Sequence, residues 1–120
     1  MSVKHARDVE KQIVKAGDKT TIQVLISSQE GPNFALRRFV MEPGGGMPNH
    51  TNTVEHEQYV LAGHATIGIG TETFDVYVGD VAFIPEGVPH WYQNTGEENF
   101  EFLCIIPNKP DVIEILEKEC

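Results

Sequence analysis

Between Thr20 and Ile106 the chain offers only short apolar runs, and that interruption excludes a helical core before any other property is considered. The segments Thr20–Ser27 and Phe34–Glu42 are rich in β-branched, aromatic and aliphatic residues, and Gly31-Pro32-Asn33 between them supplies turn chemistry. Further runs follow at Gln58–Leu61, Ala65–Ile69, Thr73–Val78, Asp80–Ile84 and Phe100–Ile106, each too short for a helix and bounded by Gly, Pro or Asn. Within Thr73–Val78, the alternation of Phe74, Val76 and Val78 has the period of two that a half-buried strand requires. Short strands at near-regular spacing, with glycine turns at Gly63, Gly70 and Gly79, predict an all-β sandwich or barrel. Helices are expected only at the ends, over Ala6–Lys15 and Pro110–Glu119, where Pro110 suits a first turn and Asp111 the positive end of the helix dipole.

A chain of 120 residues buries one core, so a single domain over 1–120 is expected, with its barrel at about 20–107. Hydrophobic residues at 40% and charged ones at 22% suit a globular protein in water. Eighteen acids against nine bases give a formal charge of −9, which opposes nucleic-acid phosphates and anionic membranes, so neither partner is expected. Met1–Asp8 mixes both signs of charge without an apolar run, and Cys104 and Cys120 are poor disulfide partners. A cytoplasmic protein with free thiols is the expectation.

The histidines carry the chemistry. Residues two apart on a strand share a face, so His50, Asn52 and His56 can all point inward while Glu55 and Glu57 point away, and His90 can join them from a distant segment. Three neutral imidazoles fill one face of a transition-metal coordination sphere and leave the rest open to water, substrate or dioxygen. Asn52 offers a side-chain oxygen, either as a weak ligand or as a partner for bound water. Without a carboxylate, such a site keeps the full metal charge and favours an anionic substrate such as a carboxylate, enolate or diketone. Arg37 and Arg38 are adjacent, so one faces inward if their strand lines a barrel, where it can meet a substrate carboxylate. Phe100, Phe102, Cys104 and Ile106 share one face, which makes Cys104 first of all a small core residue. Gly44–Gly46 precedes neither Lys-Ser/Thr nor a helix, so it reads as the turn that brings Met47 and His50 to a barrel mouth rather than as a phosphate loop.

Gly79, Pro85, Gly87, His90 and Asn94 match in full the second motif of the cupin superfamily, Gly-x5-Pro-x-Gly-x2-His-x3-Asn. Gly44, His50 and Gly63 stand at positions of the first motif, with Asn52 where its second His belongs and His56 where its Glu belongs. By these motifs the chain resembles a small single-domain metal-binding cupin. The resemblance implies a double-stranded β-helix, the cupin jelly-roll barrel, usually a homodimer. It implies one divalent transition metal held by His50, Asn52, His56 and His90, with Fe or Mn favoured and Ni, Cu or Zn as alternatives. Ligation by His56 follows the likeness to small cupins carrying a His-Glu-x-x-Val-Leu stretch such as His56–Leu61. The resemblance also makes Phe102 and Cys104 pocket walls and Arg37 the inward arginine, with Met47 and Tyr59 completing the pocket. The function it implies is a metal-dependent oxidoreductase or dioxygenase acting on a small organic molecule. The alternatives are a metal-assisted isomerase or lyase of a small carbonyl or sugar acid, using Tyr59, Tyr92 or Glu57 as acid or base, and a non-catalytic small-molecule-binding module.

Overall fold

One long strand crosses between the two layers of the fold and carries the rest with it. The computed structural model describes residues 1–116. Its strands are β1 (Gln12–Ile13), β2 (Asp18–Ile26), β3 (Phe34–Thr51), β4 (His56–Ala62), β5 (His64–Ile69), β6 (Glu72–Tyr77), β7 (Val81–Ile84), β8 (His90–Gln93), β9 (Phe100–Pro107) and β10 (Glu114–Ile115). Every pairing is antiparallel. The first half of β3 pairs with β2 and β9, and its second half pairs with β8 and β10. The order β1-β2-β3-β9-β4-β7 therefore forms one layer and β10-β3-β8-β5-β6 the other.

The two layers close on a shared core. Met41, Val60, Ile84, Phe100, Phe102 and Cys104 from the first meet Ala65, Ile67, Val76 and Tyr92 from the second. Each large apolar side chain buried there contributes about 1.5–3 kcal/mol. In β6 only Val76 is buried, whereas Phe74 is 41% exposed and Val78, in the turn after the strand, 62%, against the expectation that all three would cover a core face. β6 is the terminal strand of its layer, so little packs over its ends.

The glycine stretch is not the turn its composition suggests, because Pro43–Gly46 lies inside β3. Gly44 takes a φ of +83°, open to glycine at little cost, and the strand continues through it. A Cβ at Gly46 would stand 2.0 Å from the carbonyl oxygen of Tyr92, so the missing side chain lets β3 come up against β8. The resulting register pairs Met47 with Tyr92 and His50 with His90, across an irregularity between the two pairs.

Both expected helices are corrected. Ala6–Asp8 forms a single 3-10 turn, and Gln12–Ile13 continues as β1 because its backbone pairs with Thr21 and Ile22 of β2. At the other end no helix forms over residues 110–116. Glu114–Ile115 pairs with Thr51 and His50, and the Leu116 N–H donates to the Asn49 carbonyl at 2.8 Å. The open edge of β3 satisfies backbone groups that a helix would have satisfied internally. Residues 117–119 of that expected helix lie outside the described residues. Among the described residues no helix is long and apolar enough to cross a membrane.

Candidate metal centre

The segments that carry histidines converge because β3 ends beside β8 and β4 begins beneath them. His50 and His90 are register partners, and His56 opens β4 opposite Ile84 of β7. Their rings lie close, with centroids 4.1 Å apart for His50 and His90 and 5.6 Å for His56 and His90. All three residues are at most 6% exposed.

Each tautomer follows from its partners. His50 Nδ1 lies 2.7 Å from the Pro48 carbonyl and His90 Nδ1 3.0 Å from the Val88 carbonyl. A carbonyl only accepts, so both Nδ1 atoms carry the proton and both Nε2 atoms keep a lone pair. Among the described residues, the Nε2 atoms of His56 and His90 are buried with no hydrogen-bond partner, and so is Asn52 Oδ1. Burial drives the pKa of His56 down to about 3, helped by the Arg37 cation and the other two rings. Burial likewise takes His90 to about 4 and lowers His50. All three are neutral near pH 7, the form in which imidazole binds metals.

Asn52 completes the group, with its Nδ2 donating to the two carboxylate oxygens of Asp111 at 3.4 and 3.2 Å. Counted by His, Cys, Asp and Glu alone, no group of three close enough to hold an ion exists among the described residues. The candidate donors are three imidazoles and an amide oxygen gathered on one cavity. Buried lone pairs without donors cost free energy unless something accepts them, and a divalent transition metal fits that need.

These groups line a cavity of about 180 Å³ whose other walls include Phe39, Met41, Met47, Tyr92, Phe102 and Ile113. Arg37 reaches into the same cavity, whereas Arg38 faces out to Glu101 and to Gln23 Oε1. The Arg37 guanidinium lies 5.1 Å from the Phe39 ring centroid and donates to Cys104 Sγ at 3.2 Å. Its Nε is buried without a partner, and the ion pairs among the described residues involve only Lys4 with Glu30 and Arg38 with Glu101. An unpaired cation thus faces the same space as the imidazoles.

Two expected pocket residues stand elsewhere. Tyr59 is 48% exposed and takes no part in the cavity, because alternation from inward His56 turns Gln58 and Val60 inward and Tyr59 outward. Cys104 is fully buried but lies behind the wall, 3.6 Å from His56 Nδ1 and 3.6 Å from Gln58 Nε2. Glu57 also faces away from the rings, its pKa raised to about 7 chiefly by a hydrogen bond with Glu55. Tyr92 is buried, its hydroxyl accepting from Gln58 Nε2 at 2.6 Å, and burial raises its pKa. Sequence reasoning missed Gln58, which the alternation from His56 could have found, and Asp111, for which no local signal exists.

Comparison with known proteins places this chain in a family. The cupin domain family (Cupin_2) matches residues 37–106, the stretch that carries Arg37, His50, Asn52, His56 and His90. The chain belongs to that family. Over 85 residues this cupin is 31% identical to the oxalate-binding protein of Thermotoga maritima, covering 68% of this chain and 70% of that one. Among solved structures it is similar to the polyketide cyclase RemF from Streptomyces resistomycificus. That match has a TM-score of 0.90 and 30% identity, over 99% of this chain and 87% of the other. A cupin-2 domain protein from Rhodospirillum rubrum matches at a TM-score of 0.86 and 24% identity, over 98% and 81% of the two chains, a likeness of fold alone.

Proposed function

We propose that this cupin is a metal-dependent enzyme acting on a small organic anion held between the metal and Arg37. The observation that carries the reading is the pairing of three unpartnered buried acceptors with an unpaired cation on one cavity. His50, His56 and His90, with Asn52, would hold one divalent transition metal, Fe or Mn being favoured. Bound there, the metal would supply Lewis acidity or redox chemistry beside the substrate. Arg37 binds and orients the anionic end through a charge-assisted fork, while Phe39, Phe102 and Ile113 exclude water. A cavity of about 180 Å³ suits a molecule of roughly one aromatic ring, since an engineered cavity of about 150 Å³ takes benzene. A carboxylate, enolate or diketone of that size is the substrate class, and the similarity to an oxalate-binding protein supports it.

The oxidoreductase reading comes first because groups able to shuttle protons are scarce around the cavity. Tyr59 and Glu57 face away, and burial holds Tyr92 neutral against the opposing pull of the Gln58 N–H it accepts from. That weakens an isomerase or lyase built on those residues. A second reading, metal-assisted ring closure without net oxidation, is supported by the similarity to the polyketide cyclase. The working unit is taken as a homodimer, supported by the exposed row of Tyr59, Val81, Phe83 and Ile105 on the outer face of β4, β7 and β9.

The test is an oxygen electrode with Fe(II)-loaded protein and a panel of small carboxylates and 1,3-dicarbonyls. Oxygen uptake that requires the metal and is lost in Arg37→Met supports the oxidative reading. Turnover without oxygen uptake replaces it with the second one. Failure of the metal-loaded protein to bind any anion of the panel overturns the proposal.

A further inference from the structure

The C-terminal segment from Pro110 to Leu116 is tied to the metal centre by more than sequence position. β10 pairs with the end of β3, setting Ile115 opposite His50, and the side chain of Ile113 lines the cavity. Thr53 anchors the segment independently, its hydroxyl donating to the Pro110 carbonyl at 3.1 Å and accepting from the Val112 N–H at 2.9 Å. Asp111 then accepts from the Thr53 N–H at 3.1 Å and from the Asn52 amide nitrogen. The segment is a strap over the cavity, meeting His50 through its backbone pairing and the Asn52 side chain through Asp111.

An asparagine is an ambiguous ligand, because rotating its amide by half a turn exchanges an acceptor for a donor. An NH2 group facing the cavity would repel a metal ion. The Asp111 carboxylate removes the ambiguity, since only the NH2 end can face it without setting two acceptors against each other. Asn52 Oδ1 is accordingly the end left buried and unpartnered. The carboxylate also lies near enough for its charge to act on His50 and His90.

Building on the metal-centre reading, we infer that Asp111 is a positioning residue, which latches the C-terminal strap to Asn52 and thereby aims Asn52 Oδ1 at the metal held by His50, His56 and His90. Asp111 also places a carboxylate one residue outward from a donor set that has none.

Cobalt(II) titration of the full chain tests this, followed by its visible d–d spectrum and by calorimetry. Asp111→Asn keeps the shape but loses the charge and the purely accepting end, and it should weaken cobalt binding about 10- to 100-fold and alter the spectrum. Asn52→Ala should weaken it similarly, and adding Asp111→Asn to Asn52→Ala should cost nothing further. Thr53→Val loosens the strap without touching the Asn52 amide and should leave the spectrum unchanged. Asp111 is half-buried at the surface, so circular dichroism should be unaltered throughout. Unchanged affinity and spectrum in Asp111→Asn, additive losses in the double variant, or the same spectral change in Thr53→Val would each overturn the role. If the wild-type protein takes up no cobalt, the metal-centre reading itself fails, and the role falls with it.

Discussion

Replacing Arg37 with methionine separates the folding and binding consequences of one side chain, and the two should move in opposite directions. In the metal-free protein the guanidinium leaves its Nε buried without a partner, a defect worth about 1–3 kcal/mol. Against this stand its position over Phe39, worth about 0.5–1 kcal/mol, and one weak bond to Cys104 Sγ. Methionine keeps most of the aliphatic volume and needs no partner, so Arg37→Met should stabilise the metal-free chain by about 1 kcal/mol, or roughly 3–5 °C in Tm. Loss of a hydrogen bond from a charged group costs about 1.5–3 kcal/mol, so affinity of the metal-loaded protein for a small carboxylate should fall roughly 10- to 150-fold. Thermal denaturation of the metal-free protein and calorimetric titration with oxalate read the two effects. A Tm lowered by several degrees would mean that Arg37 is well paired in the fold, and undiminished oxalate affinity would remove it as the anion clamp.

Two further perturbations test the geometry around the rings. Gly46→Ala would set a Cβ against the Tyr92 carbonyl, forcing β3 and β8 apart, so it should cost about 1–3 kcal/mol or more and weaken metal uptake by separating His50 from His90. Urea denaturation and metal titration of the variant check both, and a stability equal to wild type would contradict the close approach. Acid should destabilise the metal-free protein early. Above pH about 6.5 the histidines are neutral in both folded and unfolded chains, and no penalty arises. Below it the unfolded chain binds protons that His56 and His90 refuse until about pH 3 and about pH 4, so stability falls with falling pH. The slope should reach about 1.4 kcal/mol per pH unit for each histidine, and a stability profile flat from pH 7 to pH 5 would contradict their burial.

What was legible in the sequence divides along lines of range. Phe34–Glu42 is legible from its β-branched, aromatic and aliphatic content and Phe100–Ile106 from its alternation, both local properties, and both runs lie within observed strands. The second motif was legible for a physical reason as well. Asn94 is a buried hub that donates to the Met41 and Glu98 carbonyls and accepts from the Gly96 N–H, so its residue type is demanded by the fold. Tyr59 was misplaced because one residue of phase along β4 exchanges the inside for the outside. The C-terminal helix failed because Pro110 and Asp111 are good helix starters locally, while the open edge of β3 is a partner that only the folded chain presents. Asp111 meets Asn52 from 59 positions away, a distance that no periodicity spans.

The most direct measurement is the metal content of the purified chain, expressed without added metal and analysed by inductively coupled plasma mass spectrometry beside His50→Ala and His90→Ala. Close to one transition-metal ion per wild-type chain is predicted, with iron or manganese prominent. Both variants should lose it while keeping β-sheet circular dichroism. A wild-type chain empty of metal after incubation with each candidate ion, or variants that retain the full complement, would contradict the convergence of His50, His56 and His90 on a shared ion.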